Sequence, residues 1–489
     1  MSSSYPAIKA HSDRTYENAI LILEQRRNTV RSELKPITQV PTQPNHNAST
    51  ARGVPSLVGM KEWLAQLGHS EADINALNII HIAGTKGKGS TCSFTESFLR
   101  AHADRTGFPR RTGLYTSPHL LDPEERIRIR FLPLAREALA KYFFEVYDRL
   151  PQIATAPDLS KPPVERGPRF LQLWALLAFH TFIREGVDAV VLETHNGGEN
   201  DATNVVAKPL VTAVTTLGLD HIEILGNTIE SIAWHKGGIY KIGAVALSTQ
   251  QESSAATEVL RQRARDVGEA VSIIDDDERL PADAMHLEPS VQRKNASLAL
   301  AAAEALLKQT SGGQLSVEDI QTGVDQWNWP GRYQILRRGP QTWFLDAAHC
   351  ESSVALAAQW FDKESRRLAS RKVTRVLVFS HMNKLRDARA LLERLIFALK
   401  DSSITIDHVI FSTYDETVDA SAERPEIFEV FNDMWREHLP NTTIWEEPAI
   451  RSAVEQVQKL DPEHGEMHVL VTGSQYLLGP VLRQLKGND

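Results

Sequence analysis

The chain has 489 residues, 42% of them hydrophobic and 24% charged, with a formal net charge of −8. That composition belongs to a soluble globular protein of roughly two or three domains, and with no long basic block it argues against nucleic-acid binding as the main activity. Two cysteines, Cys92 and Cys350, without CxxC spacing, exclude a disulfide or zinc scaffold. No apolar run reaches the about 18 residues of a spanning helix. The N-terminus has neither a secretory core nor an acid-poor transit pattern. A cytoplasmic protein with no membrane partner is expected, and a mitochondrial form from another start site stays open.

Residues 1–12 read as untethered. Tyr16–Leu34 is predicted helical, because Ala19, Ile20, Leu23 and Val30 fall near one face. Residues 35–54, rich in Pro, Thr, Asn and Ser, form a loop or linker. Val58–Leu67 resumes a helix that Gly68 stops. Ile79, Ile80 and Ile82 then predict a short buried strand, Gly84-Thr85-Lys86-Gly87-Lys88-Gly89-Ser90 a turn, and Phe94, Ser97 and Phe98 the start of a helical pattern. Strand, glycine-rich turn and helix is the recipe for holding a phosphate chain. The glycines let successive N–H groups point inward, and the helix N-terminus adds partial positive charge. Lys88 supplies a full charge, and Ser90 or Thr91 a hydroxyl for Mg²⁺. Gly89 separates Lys88 from Ser90, unlike the usual Gly-Lys-Ser/Thr pattern, so an ordinary glycine-rich turn is the plain alternative.

Gly113–Leu120 reads as a strand entering a turn, Arg126–Arg130 as a half-exposed strand, Ala135–Leu150 as a helix, 151–168 as a Pro-rich loop and Phe170–Glu185 as a buried apolar helix. Asp188–Glu193, Leu210–Leu217 and Ala244–Leu247 are apolar strands alternating with helices, which indicates a mainly parallel α/β sheet. Functional groups collect at the carboxyl ends of such strands, where Glu193, Asp220, His221 and the glycine-rich turn stand. Asn295–Lys308 is a helix broken by Gly312-Gly313. Trp327–Arg332 looks like a domain boundary. Beyond it, strands at Trp343–Ala347, Arg375–Ser380, His408–Thr413 and His468–Thr472, with helices near 352–369, 385–400, 424–437 and 449–460, make a second α/β domain of about 150 residues. The domains are thus 1–329 and 330–489.

Glu193, His221 and Ser117 each read singly as a cap or polar loop residue. Together with a phosphate loop they are better explained as a Mg²⁺–nucleotide site. Lys236 reads as a surface or phosphate-contacting lysine. Asp346, His349 and Arg332 fit a nucleotide contact or, equally, a helix N-cap and a solvated arginine. His286 and His408 are structural with no partner identifiable, and 275–278 is a solvated acidic turn.

The ordered motifs HIAGTKGKGST (81–91), GLYTSPHLLDPEERIRI (113–129), LETHNGGENDATNV (192–205), TTLGLDHIEILGNTIESIAWHKGGIYK (215–241), QRKNASLAL (292–300), WPGRYQIL (329–336), FLDAAH (344–349) and VTGSQYLLG (471–479) resemble folylpolyglutamate synthases of the Mur-ligase superfamily, in a divergent, fungal-like form. The resemblance spans about Thr15 to about Leu482. It implies an N-terminal P-loop-type domain and a smaller C-terminal Rossmann-like domain that closes over ATP and binds the incoming amino acid. It implies an ATP-dependent ligase that activates a folate carboxylate as an acyl phosphate for attack by L-glutamate. ATP, folate and glutamate are its small-molecule partners, Mg²⁺ its metal, with room for a monovalent cation, and the family implies a monomer. By position, Gly84, Thr85, Lys86, Gly87, Lys88, Gly89 and Ser90 match the ATP loop. Asn295, Arg332, Asp346 and His349 match further ATP contacts, and Arg386-Asp387 a pair near the nucleotide. Ser117, Glu193 and His221 match metal ligands. Lys236 matches a lysine that binds a second Mg²⁺ when carbamylated. Lys88, His221 and Lys236 are thereby the catalytic set.

There are departures. Where the family usually has Glu-Val-Gly-Ile-Gly-Gly, this chain has Glu193-Thr194-His195-Asn196-Gly197-Gly198, so His195 replaces a glycine and must find space. Ala347, Val291 and Ala175 also depart. They bear on substrate identity more than reaction class. A paralogous ligase joining another acid and amine, and a non-catalytic ATP-binding protein, are the competing readings.

Overall fold

The computed structural model describes residues 13–27, 55–155, 158, 160–369, 373–382, 387–402, 404–414, 416, 423–460 and 465–487. The expected linker 35–54, the end of the first predicted helix beyond residue 27, and Arg386 lie outside them. The chain divides into two units: residues up to His119 with Pro123–Trp327, and Leu120–Asp122 with Asn328 onward.

The first unit is built on β1 (Ile79–Ala83), β2 (Thr112–Tyr115), β3 (Ile127–Ile129), β4 (Leu132–Pro133), β5 (Ala189–Glu193), β6 (Val211–Val214), β7 (Val245–Thr249) and β8 (Val271–Ile274). Their order across the sheet is β4-β3-β2-β5-β1-β6-β7-β8. From β2 to β8 the pairing is parallel; β3 and β4 extend the edge antiparallel. Every residue of β1, β5 and β6 is buried, which is why these strands read as continuous apolar runs. Phe170–Arg184 is the apolar helix expected there, packed with the helix Arg136–Arg149 over one face. Lys88–Thr106 packs against Ser290–Thr310 and Val317–Asp325.

Arg126 and Arg128 correct the sequence reading. Their alternation with Ile127 and Ile129 predicts a half-exposed strand, yet the two arginines are only 3% and 8% exposed. The Arg126 guanidinium lies over Phe170 and Trp174, and that of Arg128 over Phe131, so aromatic faces replace water. The histidines read as partnerless are also engaged. His286 meets the Trp327 ring edge to face at 5.4 Å, and His408 Nδ1 accepts from Trp445 Nε1 at 3.4 Å.

The second unit carries β9 (Gln334–Arg338), β10 (Gln341–Leu345), β11 (Thr374–Phe379), β12 (His408–Ser412), β13 (Thr443–Glu447) and β14 (Met467–Thr472), in the order β13-β12-β11-β14-β10-β9. All pairs are parallel except the β9 edge. Glu351–Leu368, Ala388–Asp401 and Ile427–His438 cover one face, and Ile450–Lys459 with Gln475–Lys486 the other, giving a doubly wound α/β sheet. The last helix has no counterpart in the sequence prediction, because Gly479-Pro480 signals a break. The structure keeps it helical, with Gly479 at a close approach: a Cβ there would lie 2.3 Å from the Leu120 carbonyl oxygen. Among the described residues no helix is long and apolar enough to cross a membrane.

Candidate active site

β1 runs into Gly84–Gly87, and the helix Lys88–Thr106 starts at once. This is six residues earlier than Phe94, where the apolar pattern begins. Lys88, Gly89 and Ser90 are therefore the first helical turn. Ser90, Thr91, Cys92 and Ser93 are polar or small yet buried, which hides the helical period from a hydrophobicity reading. Two glycines are required by geometry. At Gly84, φ +152°, a Cβ would fall 1.8 Å from Thr215 Oγ1; at Gly87, φ +87°, one would fall 2.2 Å from Asn295 Oδ1. Asn295 is fixed in turn by its Nδ2 donating to Gln292 Oε1 at 2.9 Å.

The loop is strapped to the segment after β6. The amides of Thr85 and Lys86 both donate to the Thr216 carbonyl at 3.1 Å. Thr215 Oγ1 donates to Lys86 O at 2.7 Å, and Thr85 Oγ1 to Gly218 O at 3.1 Å. Those two amides are thus committed within the protein. The groups that remain suited to an anion are the first-turn amides of the helix, which have no intrahelical acceptor, and Lys88. Thr215 and Thr216 open the motif 215–241, but nothing in their residue type foretells that they strap the loop.

Glu193 ends β5 and is 4% exposed. Its Oε2 accepts the Ser117 amide at 3.0 Å, and its Oε1 lies 3.9 Å from Lys88 Nζ. Lys236 sits in the last turn of the helix Ile229–Gly237 and is 2% exposed, not on the surface; its Nζ donates to the Gly84 carbonyl at 2.7 Å. Burial, and then repulsion by Lys88, lower its pKa to about 7 against the opposing charges of Asp220 and Asp201. His221 holds φ +50°, unusual for a residue with a Cβ, at the N-cap of the short helix Ile222–Leu225. Its amide donates to Asp220 Oδ1 at 3.0 Å. Burial lowers the imidazole pKa; Asp220 opposes this, while Lys236 and Lys88 add to it.

Among the described residues no group of three or more His, Cys, Asp or Glu side chains forms a ready-made metal cage. The donors at hand are the Glu193 carboxylate, the Ser117 hydroxyl and a His221 imidazole biased toward its neutral form. That set fits Mg²⁺, which takes one or two carboxylates and completes its shell with water and phosphate oxygens.

In the second unit Asp346 follows β10 and caps its own turn: Oδ1 accepts the Ala348 amide at 2.9 Å and Oδ2 the Tyr333 amide at 3.0 Å. It is not the N-cap of the following helix, which is Cys350. Burial pushes its pKa up to about 6, opposed by Arg332 and the two amides. Arg332 precedes β9. His349 Nδ1 donates to the Ala347 carbonyl at 2.7 Å. Asp387 caps Ala388–Asp401, accepting from the Arg389 and Ala390 amides. Lys88, Glu193, Ser117, His221, Lys236 and Asn295 are thus gathered on the first unit; Arg332, Asp346 and His349 belong to the second.

Residues 332–484 match the family model of the dihydrofolate synthetase C-terminal domain. The folylpolyglutamate synthase of Neurospora crassa is 37% identical over an alignment covering 98% of this chain and 93% of that protein. The chain belongs to the folylpolyglutamate synthase family. The solved Mycobacterium tuberculosis folylpolyglutamate synthase complexed with ADP and AMPPCP is 24% identical, with a TM-score of 0.69, covering 89% of this chain and 96% of that one. The bifunctional folylpolyglutamate synthase/dihydrofolate synthase of Yersinia pestis, complexed with AMPPNP and a Mn ion, is 24% identical with a TM-score of 0.65, covering 90% and 96%. These structures share the two-sheet, Mur-ligase-like fold of this family member.

Proposed function

We propose that the protein is an ATP-dependent ligase that adds L-glutamate to the terminal carboxylate of folate polyglutamates through an acyl phosphate. The observation that carries this is the meeting of Lys88, Glu193 and the buried Lys236 amine around the β1–helix turn, in a chain 37% identical to a folylpolyglutamate synthase. The nucleotide complexes of the M. tuberculosis and Y. pestis relatives support ATP as the phosphoryl donor, and the Mn ion of the latter supports a divalent metal, here Mg²⁺.

A carboxylate is a poor electrophile, so ATP must activate it. A folate carboxylate oxygen attacks the γ-phosphorus and the bond to ADP breaks. The glutamate amine, having lost its proton, then attacks the acyl carbon, the C–N bond forms and phosphate leaves. The first step asks the protein for positioning and charge neutralisation. Lys88 and the first-turn amides supply both on the phosphate side. Glu193, Ser117 and His221 would hold a Mg²⁺ that adds positive charge at the phosphate oxygens. Lys236, with its pKa lowered to about 7, is in large part a free amine near neutrality, the form that combines with CO₂; we assign it as the carbamylated lysine. Arg332, Asp346 and His349 are assigned to nucleotide contacts on the second unit. The same reading makes the protein a cytoplasmic monomer, checked by sedimentation and cell fractionation.

One observation favours a second reading. The C-terminal match is to dihydrofolate synthetase, which would use the same chemistry on an acid that carries no glutamate. The experiment is to incubate the protein with ATP, Mg²⁺ and labelled L-glutamate, with tetrahydrofolate or dihydropteroate as acid. Label entering tetrahydrofolate together with ADP release supports the first reading. ADP release with dihydropteroate alone supports the second, and no ADP with either acid refutes both.

A further inference from the structure

A chain of buried polar contacts links the end of β2, the segment that follows β5 and the middle of β1. At the end of β2 the Tyr115 hydroxyl lies 2.7 Å from His195 Nε2, and the rings meet edge to face with centroids 5.5 Å apart and planes at 81°. The other ring nitrogen, Nδ1, is 3.3 Å from Asp201 Oδ1. Asp201 Oδ2 accepts the amides of His195 and Asn196 at 3.0 and 2.9 Å, and its Oδ1 accepts the amide and hydroxyl of Thr203 at 3.0 and 2.8 Å. Thr203 Oγ1 is 2.9 Å from His81 Nε2, inside β1. All five residues are buried. One ring nitrogen of His195 thus stands on the Tyr115 hydroxyl and the other faces the Asp201 carboxylate.

The residues joined in this way flank the proposed metal donors. Tyr115 is two residues before Ser117, whose amide donates to Glu193 Oε2 at 3.0 Å; His195 is two residues after Glu193. The Tyr115–His195 contact therefore fixes the end of β2 against the end of β5 where Ser117 meets Glu193. We propose that His195 is a positioning residue that, through Tyr115 and Asp201, sets the placement of Ser117 against Glu193 and with it the metal affinity of the nucleotide site. The inference rests on the function proposed above. A glycine at 195 would remove the partner of a fully buried tyrosine hydroxyl, so Tyr115 and His195 act as a unit.

The test uses the full chain, with Mn²⁺ as probe and its binding in the presence of a non-hydrolysable ATP analogue read by electron paramagnetic resonance. His195→Ala and Tyr115→Phe each cut the same contact. Each is expected to weaken Mn²⁺ binding about tenfold, the effect typical of groups that orient metal ligands. The double variant should be no weaker than the weaker single one, because both remove one interaction. The metal concentration for half-maximal rate should rise more than kcat at saturating metal falls. His195→Gln, whose carbonyl oxygen can accept from Tyr115, should recover part of the loss. Unchanged Mn²⁺ affinity in Tyr115→Phe, which keeps the packing volume and decides the matter even if His195→Ala does not fold, overturns the proposal, as do fully additive effects. Failure of the unaltered protein to bind Mn²⁺ with the analogue overturns instead the nucleotide-site reading beneath it.

Discussion

Replacing Lys236 with methionine should stabilise the first unit, and by an amount that shrinks as pH rises. Lys236 is enclosed, with a pKa lowered from 10.5 to about 7. Below pH 7 both folded and unfolded chains carry the charge, and the folded state bears the whole cost of burying it. Between pH 7 and 10.5 the unfolded chain binds a proton that the folded chain has released, so folded stability rises with pH in that window. A displacement of this size corresponds to about 5 kcal/mol at low pH, of which about 2 kcal/mol is recovered between pH 7 and 9. Methionine removes the titration. It also removes the hydrogen bond to the Gly84 carbonyl, a pH-independent loss of about 1 kcal/mol. The gap between variant and unaltered protein should therefore narrow by about 2 kcal/mol from pH 7 to pH 9. Urea unfolding in carbonate-free buffer would measure it, read by hydrogen exchange of peptides from β1 and β6 so that only the first unit is followed. Stability curves that stay parallel across this range would refute the argument.

Lys88→Ala should abolish ATP-dependent product formation while leaving the melting temperature within a few degrees; near-normal turnover would remove the central assignment. Gly87→Ala forces a side chain into φ +87° and within 2.2 Å of Asn295 Oδ1, a conformational cost of about 1–2 kcal/mol before the clash is counted. Weaker ATP binding by calorimetry is expected, and unchanged affinity would show that the turn is not held as described. Asp346→Asn should flatten the acid side of the second unit's stability. With its folded pKa raised to about 6, Asp346 favours the folded state most below pH 4, and that contribution, about 3 kcal/mol, is lost as pH rises to 6; equal slopes for the two proteins over pH 4–6 would count against it.

Much of this architecture was legible because its strands are buried on both faces. Ile79–Ala83, Ala189–Glu193 and Thr374–Phe379 need no alternation to be recognised. Strands β8, β9 and β13 carry no such signal for the opposite reason: they are sheet edges whose side chains are half-exposed, so composition does not set them apart. At the site, the glycine-rich turn is visible because only glycine can occupy positions so close to Thr215 and Asn295. Burial is not visible in the same way. Lys236 reads as a surface lysine from its type, and only the fold shows that Gly84 O receives it. Arg126 fails similarly, because the aromatic faces that shelter it come from a helix over 40 residues away in sequence.

The electrostatics explain why this site is costly to keep. Lys88 stands 3.9 Å from the buried Glu193 carboxylate; burial, and after it the two lysines, depress the His221 imidazole against Asp220, while burial and Lys88 depress the Lys236 amine. His221 adds a left-handed backbone conformation of the kind that persists only when surrounding structure enforces it. No fold would collect these features for stability, since each raises the energy of the empty protein. An anionic, multiply charged ligand reverses the balance, because phosphate oxygens attract the ammonium groups that otherwise repel one another. Nucleotide binding should therefore stabilise the first unit more at low than at high ionic strength, and raise the pKa of Lys236 as Lys88 becomes neutralised. That coupling returns the amine toward its charged form unless it has already been converted to a carbamate, so the order in which CO₂ and ATP arrive at the site should matter to its activity.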